Sequence, residues 1–190
     1  YHWAEIASGF NQKTTISPVH GALIASAVIN NGRLYEPSIV EHILDGSGQE
    51  CYRNQPQMID RAIDPATTRV MRELMETTVR SGTARKQFRR IKRDKVLSGL
   101  VFGGKTGSIN TRDNTARYDW FVGYAAQKEG AHQLAIGVMV AHQDYIGRRA
   151  TTYARMAFKR YFANLQQPET AAAATKKHMI GEKQPVISKF

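Results

Sequence analysis

The chain is poor in cysteine, in acidic residues and in long apolar runs. One cysteine, Cys51, stands among 190 residues, which excludes an internal disulfide and any multi-cysteine zinc cluster. The histidines His2, His20, His42, His132, His142 and His178 are scattered. No His-Glu-x-x-His and no other short-range ligand pair occurs, so neither a bound metal nor another cofactor is expected. The longest apolar stretch, Gly21 to Ile29, is far short of the roughly 20 residues that span a bilayer. The first residue is Tyr1, and no basic segment followed by an apolar one precedes the first motif. Neither a signal peptide nor a translation start is visible, and the chain reads as a piece of something longer.

Acid is scarce relative to base: 27 Lys and Arg against 16 Asp and Glu leave a net charge of +11. Such an excess favours contact with something anionic, whether nucleic acid, phospholipid headgroups or an acidic polymer. It is concentrated in Arg80, Arg85, Lys86, Arg89, Arg90, Lys92, Arg93 and Lys95, opposed within that run only by Asp94. The segment reads either as a solvated loop or as a surface, spanning residues 80–95, for contact with an anionic membrane. A nucleic-acid-binding module would bring interleaved exposed aromatics, and this run holds only Phe88, so no nucleic acid is expected.

With 42% hydrophobic residues there is enough apolar side chain for one core. The pattern places that core in residues 1–165, with 166–190, rich in Ala, Lys and Pro, as a mobile tail. Ser17-Pro18 reads as a helix start, and Val19 to Asn30 as a helix apolar enough to be buried nearly all round, stopped by Asn31-Gly32. Arg33 to Leu44 and Glu50 to Asn54 flank the turn Asp45-Gly46-Ser47-Gly48 and read as a strand pair, with Pro37 marking an edge. Asp64-Pro65 repeats the helix-start signal. The stripe Val70, Met71, Leu74, Met75, Thr78 and Val79 then follows the helical period, with Arg69 and Glu73, and Arg72 and Glu76, paired on the outer face. Strands are expected at 100–109, 118–127 and 133–142. The last is apolar on both faces, and a final helix near 151–165 is expected to cover the sheet. The fold class is therefore α/β (α+β): an antiparallel sheet flanked by helices.

Gly103-Gly104-Lys105-Thr106-Gly107-Ser108 falls on the first of these three strands. Glycines expose strand backbone to close approach, which suits an extended peptide pairing with the edge. Lys105 supplies a point charge, Thr106 and Ser108 supply hydroxyls that grip a carboxylate, and edge N–H groups can face a developing oxyanion. On its own the segment reads first as a glycine-containing strand with a surface lysine.

Its context adds more. Lys105-Thr106-Gly107 resembles the Lys-Thr-Gly box of the penicillin-binding proteins, D,D-transpeptidases that share a fold with serine β-lactamases. Ile16-Ser17-Pro18-Val19-His20 through Ile29-Asn30-Asn31-Gly32-Arg33-Leu34 and Pro37 resembles the family's helix, Asn-Gly turn and proline-bearing strand. Val79-Arg80-Ser81-Gly82-Thr83-Ala84 resembles its helix-ending Gly-Thr-Ala, and Trp120-Phe121-Val122-Gly123-Tyr124 its strand after the box. The resemblance implies a partial β-lactamase/transpeptidase-like fold over about residues 6–165. It also implies acyl transfer from a D-alanyl-D-alanine stem peptide, or acylation by a β-lactam, on the extracytoplasmic face of a bacterial membrane. Lys105 then corresponds to the box lysine beside the nucleophile. Thr106 and Ser108 correspond to carboxylate-binding hydroxyls, the Ser108 N–H to half of the oxyanion hole, and Gly107 to the residue that keeps the groove open.

The family's Ser-x-x-Lys is missing: no serine in the chain has lysine three positions later. Ser108-Ile109-Asn110 spells Ser-x-Asn but overlaps the box and cannot be the separate motif that precedes it. The resemblance is thus to the later half of a transpeptidase domain, inactive alone, whose nucleophile and N-terminal half lie elsewhere. An oxacillinase-type β-lactamase fragment and, from a different class, a basic nucleic-acid-binding or non-catalytic scaffold module are the other readings.

Overall fold

The computed structural model describes residues 1–9 and 14–166. The expected tail lies outside these, apart from Gln166, which closes the last helix.

Helix α1 (His2–Ser8) ends at Gly9 and buries nothing. Helix α2 (Pro18–Ile29) starts as read: the Ser17 hydroxyl accepts the His20 N–H at 3.1 Å and proline fills the first turn. It stops at Asn31 and Gly32, both at positive φ. A Cβ on Gly32 would fall 1.6 Å from the Ile63 carbonyl oxygen, so only glycine fits. The expectation of all-round burial fails in part. Ala25 and Val28 are fully buried, but Val19 is 60% exposed.

The expected strand pair is longer and more broken than its sequence suggests. Strand β1 (Arg33–Tyr35) pairs antiparallel with β4 (Met58–Arg61), and β2 (His42–Leu44) with β3 (Glu50–Arg53). The Glu36 N–H reaches the Gln57 carbonyl at 2.9 Å and the Asn54 N–H the Glu41 carbonyl at 2.8 Å. One ribbon therefore runs through both pairs, broken where Pro37 and Pro56 stand. Neither proline has an N–H to give a ladder. The tip is tied by Asp45, whose carboxylate accepts the Ser47 and Gln49 N–H groups at 2.8 and 2.9 Å.

Helix α3 (Pro65–Arg80) is capped by Asp64, which accepts from the Ala66 and Thr67 N–H groups at 2.9 and 3.0 Å. The Thr67 hydroxyl and these N–H groups hold the Asp64 carboxyl below its usual range. Neither expected outer-face pair, Arg69 with Glu73 or Arg72 with Glu76, is among the ion pairs of the described residues. Arg72 instead closes the C-terminal end of α2, donating to the carbonyls of Val28 at 3.0 Å and Ile29 at 2.7 Å. Those carbonyls have no helical partner and sit at the negative end of the helix dipole, so they accept the guanidinium. Glu76 faces the Tyr124 hydroxyl at 3.5 Å.

The basic segment is not a plain loop. It forms α4 (Arg85–Phe88) and two short 3-10 turns, Ile91–Arg93 and Leu97–Gly99. Asp94 organises it, accepting the Val96 and Leu97 N–H groups at 3.1 and 3.3 Å and Lys159 Nζ at 2.8 Å. The Lys159 ammonium and those N–H groups lower the Asp94 pKa. Its contribution to stability is therefore full at neutral pH and lost as the pH falls through that lowered value.

Strands β5 (Leu100–Asn110), β6 (Arg117–Gln127) and β7 (Gln133–His142) form an antiparallel sheet in that order, within one residue of the expected bounds. Helix α5 (Ala150–Gln166) follows. The register Phe102↔Ala125, Thr106↔Phe121 and Phe121↔Val138 sets which side chains share a face. Phe88, Phe102, Phe121 and Phe158 form the core between the sheet and α4 and α5, with ring centroids 5.3 to 6.0 Å apart. On the opposite face α2 lies so close that a Cβ on Gly137 would sit 2.0 Å from the Pro18 carbonyl oxygen. Helices thus lie on both faces of β7, but the expectation of two buried faces holds only in part, because Met139 and Ala141 on the α2 face are exposed. The α2 and α3 side stays partly bare: Val70 and Leu74, in the apolar stripe of α3, are 57% and 64% exposed.

Candidate active-site strand

Strand β5 is an edge of the sheet and carries Lys105, Thr106, Gly107 and Ser108 in one line. Alternation divides them: Lys105 and Gly107 lie on the face of α2 and α3, Thr106 and Ser108 on the face of α5. Lys105, Gly107, Ser108 and Ile109 are exposed, whereas Gly103 and Gly104 are buried. One flank of the strand is therefore open, and it begins at Lys105.

The three glycines differ in what they do. A Cβ on Gly103 would fall 2.4 Å from the Tyr124 ring, and one on Gly104 2.3 Å from that of Phe121. These two positions are vacant for aromatic rings of the neighbouring strand, not for an incoming chain, which revises the expectation from sequence. A Cβ on Gly107 would meet only Trp120 Cβ at 3.5 Å, an ordinary contact. Only Gly107 has no packing reason to be glycine.

Both hydroxyls are held from behind. Thr106 Oγ1 lies 2.6 Å from Thr83 Oγ1, so the chain leaving α3 crosses the edge of β5 at this point. The Ser108 hydroxyl donates to Asp119 Oδ1 at 3.3 Å. Asp119 is 5% exposed, and its other oxygen accepts the Ala150 N–H at the start of α5 at 2.7 Å. Arg149 Nη1 stands 3.6 Å from the same carboxylate. A helix N-terminus and a guanidinium together stabilise the buried charge. Lys105 Nζ, by contrast, donates among the described residues only to the Thr106 carbonyl at 2.7 Å, a contact that a ligand can displace. Behind the strand, burial and then the Glu76 carboxylate push the Tyr124 phenol far above its ordinary value, with Arg72 opposing, so it stays neutral.

Lys105, Thr106, Gly107 and Ser108 are thus brought together, and no described serine other than Ser108 carries its hydroxyl on this strand. Thr83 lies inside the Ser-Gly-Thr-Ala stretch and Asp119 just before Trp120, and sequence alone assigned neither a task. A carboxylate at a buried strand position was the available signal for Asp119.

A family model described as Penicillin binding protein transpeptidase domain matches residues 2–162. The chain belongs to this family. The penicillin-binding protein relatives include Penicillin-binding protein 1A/1B of Bacillus subtilis (strain 168), 26% identical over 184 residues and covering 88% of this chain but 19% of the relative. Stage V sporulation protein D of the same organism is 28% identical over 105 residues, 55% of this chain and 15% of its own length. The chain therefore spans less than a fifth of either relative. Among solved structures, the penicillin G acyl-enzyme complex of penicillin-binding protein A from M. tuberculosis shares the fold with TM-score 0.61 at 18% identity, over 82% of this chain and 33% of that one. The D,D-transpeptidase domain of a peptidoglycan glycosyltransferase from Eggerthella lenta matches with TM-score 0.54 at 20% identity, over 77% of this chain and 31% of that one. Among the described residues no helix is long and apolar enough to cross a membrane.

Proposed function

We propose that this chain is the later part of a D,D-transpeptidase domain that cross-links peptidoglycan on the extracytoplasmic face of a bacterial cell, and that β-lactams acylate the same domain. The observation that carries the reading is the open edge strand bearing Lys105, Thr106, Gly107 and Ser108, within a stretch that the family model matches over residues 2–162. A serine outside this chain attacks the carbonyl between the two terminal D-alanines, forms an ester and expels the last D-alanine. An amine of a neighbouring stem peptide then attacks the ester, forms the cross-link amide and releases the serine.

Each residue of the strand has a task in that sequence. The peptide's terminal carboxylate takes hydrogen bonds from the Thr106 and Ser108 hydroxyls. Ser108 must first turn its proton away from Asp119, and the Ala150 N–H and Arg149 keep that carboxylate stabilised when it does so. The Ser108 N–H supplies one half of the oxyanion hole, and such donors strengthen as charge develops on the carbonyl oxygen. Lys105, exposed and bound only to the Thr106 carbonyl, places its charge between the carboxylate and the proton network of the nucleophile. Gly107 leaves the approach to the edge clear.

The test is acylation by a fluorescent penicillin, followed by gel fluorescence. The full-length protein is expected to form a covalent adduct stable through denaturation, and this chain alone none. Rapid turnover of the adduct would move the reading to an oxacillinase-type β-lactamase, and its absence in the full-length protein would end it.

A further inference from the structure

The transpeptidase reading uses none of the eight cations between Arg80 and Lys95, yet all eight are exposed. They are not carried on a floppy loop. Ala84, Phe88 and Leu97 of the same segment are buried in the core, and Asp94 caps the turn at Val96 and Leu97. That single acid is already spent, because Lys159 lies 2.8 Å and Arg155 3.8 Å from its Oδ2. The segment is a fixed display of positive charge with no internal counter-charge left.

Two contacts give the display a direction. At its start, the Thr83 hydroxyl touches Thr106 on the edge strand at 2.6 Å, two residues before Arg85. At its far end, Asp94 holds Lys159 of α5 at 2.8 Å. The charges therefore form a track leading from the carboxylate-binding edge of β5 across α4 to α5. Eight like charges on one short, anchored segment attract a polyanion together, and salt screens that attraction.

We infer that this track is an accessory binding surface for the anionic glycan-peptide polymer whose stem peptide end occupies Thr106 and Ser108; the inference rests on the transpeptidase reading of that edge. A membrane fits less well. The only large apolar side chains between Arg80 and Lys95 are Phe88, which is buried, and Ile91, which is half-buried, so nothing there enters a bilayer. Nucleic acid lacks a stacking platform for the same reason.

The test uses the full-length protein and co-sedimentation with purified peptidoglycan sacculi across a salt series. The variant R89Q/R90Q/K92Q removes three track charges, and R33Q/R69Q/R148Q removes three exposed charges elsewhere. The track variant is expected to bind sacculi about tenfold or more weakly with a flatter salt dependence, and the second variant to bind within about twofold of the parent. Acylation by fluorescent penicillin, which needs only the β5 edge, is expected to be equal in all three. Equal loss in both variants would reduce the effect to net charge and overturn the inference, as would undiminished sacculus binding by the track variant. Tighter binding to vesicles of phosphatidylglycerol and phosphatidylcholine in equal parts than to sacculi, abolished in the track variant, would overturn it in favour of a lipid surface. Failure of the parent to label with penicillin strikes the transpeptidase reading instead, and is read separately from sedimentation.

Discussion

Lys105→Ala in the full-length protein is expected to lower the rate of acylation by fluorescent penicillin about a hundredfold or more, with folding unchanged. The side chain is exposed and its ammonium donates only to the adjacent Thr106 carbonyl. Its removal opens no cavity and strands no buried partner, so the packing cost is small. Its charge, by contrast, has no described carboxylate to neutralise and is free to act on a ligand at the open edge. Circular dichroism and gel fluorescence on the same preparation separate the two effects. Undiminished labelling with native folding would mean that Lys105 is not the box lysine, and the tasks given to Thr106 and Ser108 would fall with it.

Gly104→Ala is expected to damage the fold itself. The added methyl would lie 2.3 Å from Phe121 Cζ, and Phe121 is fully buried, stacked 6.0 Å from Phe88. Neither ring has room to retreat, so a loss of about 1–3 kcal/mol is expected from overpacking, with distortion of β5 and weaker labelling. Gly107→Ala makes the contrast, because its methyl meets Trp120 at an ordinary 3.5 Å. It should leave the denaturation midpoint almost unmoved and slow acylation only by narrowing the approach. Equal midpoints for Gly104→Ala and the parent would show that the ring does not fill the glycine's place.

Local signals in the sequence carried most of the fold. Ser17-Pro18 and Asp64-Pro65 start helices because hydroxyl and carboxylate oxygens take up N–H groups that the first turn leaves unpaired, and both caps are present. The alternation through Leu134, Ile136, Val138 and Val140 placed β7 correctly because that face packs against the core. What escaped notice was non-local. Nothing near Tyr35 announces a partner at Met58, and nothing near Arg72 announces the carbonyls of Val28 and Ile29, more than forty residues away.

The site divides in the same way. Lys105, Thr106, Gly107 and Ser108 were legible because four neighbouring residues on one strand carry complementary chemistry. Asp119 and Thr83, which hold Ser108 and Thr106 from behind, were not. Their partners are set by strand register and by the chain crossing at the edge of β5. Gly103 and Gly104 illustrate the converse error. Read as openings for a ligand, they are filled by Tyr124 and Phe121, because a strand glycine records only that something approaches and not what it is.

The most direct measurement is a crystal structure of the full-length protein acylated by penicillin. The ligand carboxylate is expected within hydrogen-bond distance of the Thr106 and Ser108 hydroxyls, its ester carbonyl oxygen at the Ser108 N–H, and Lys105 Nζ turned from the Thr106 carbonyl toward the acylated serine. An acyl group whose carboxylate and carbonyl make no contact with β5 would contradict the account.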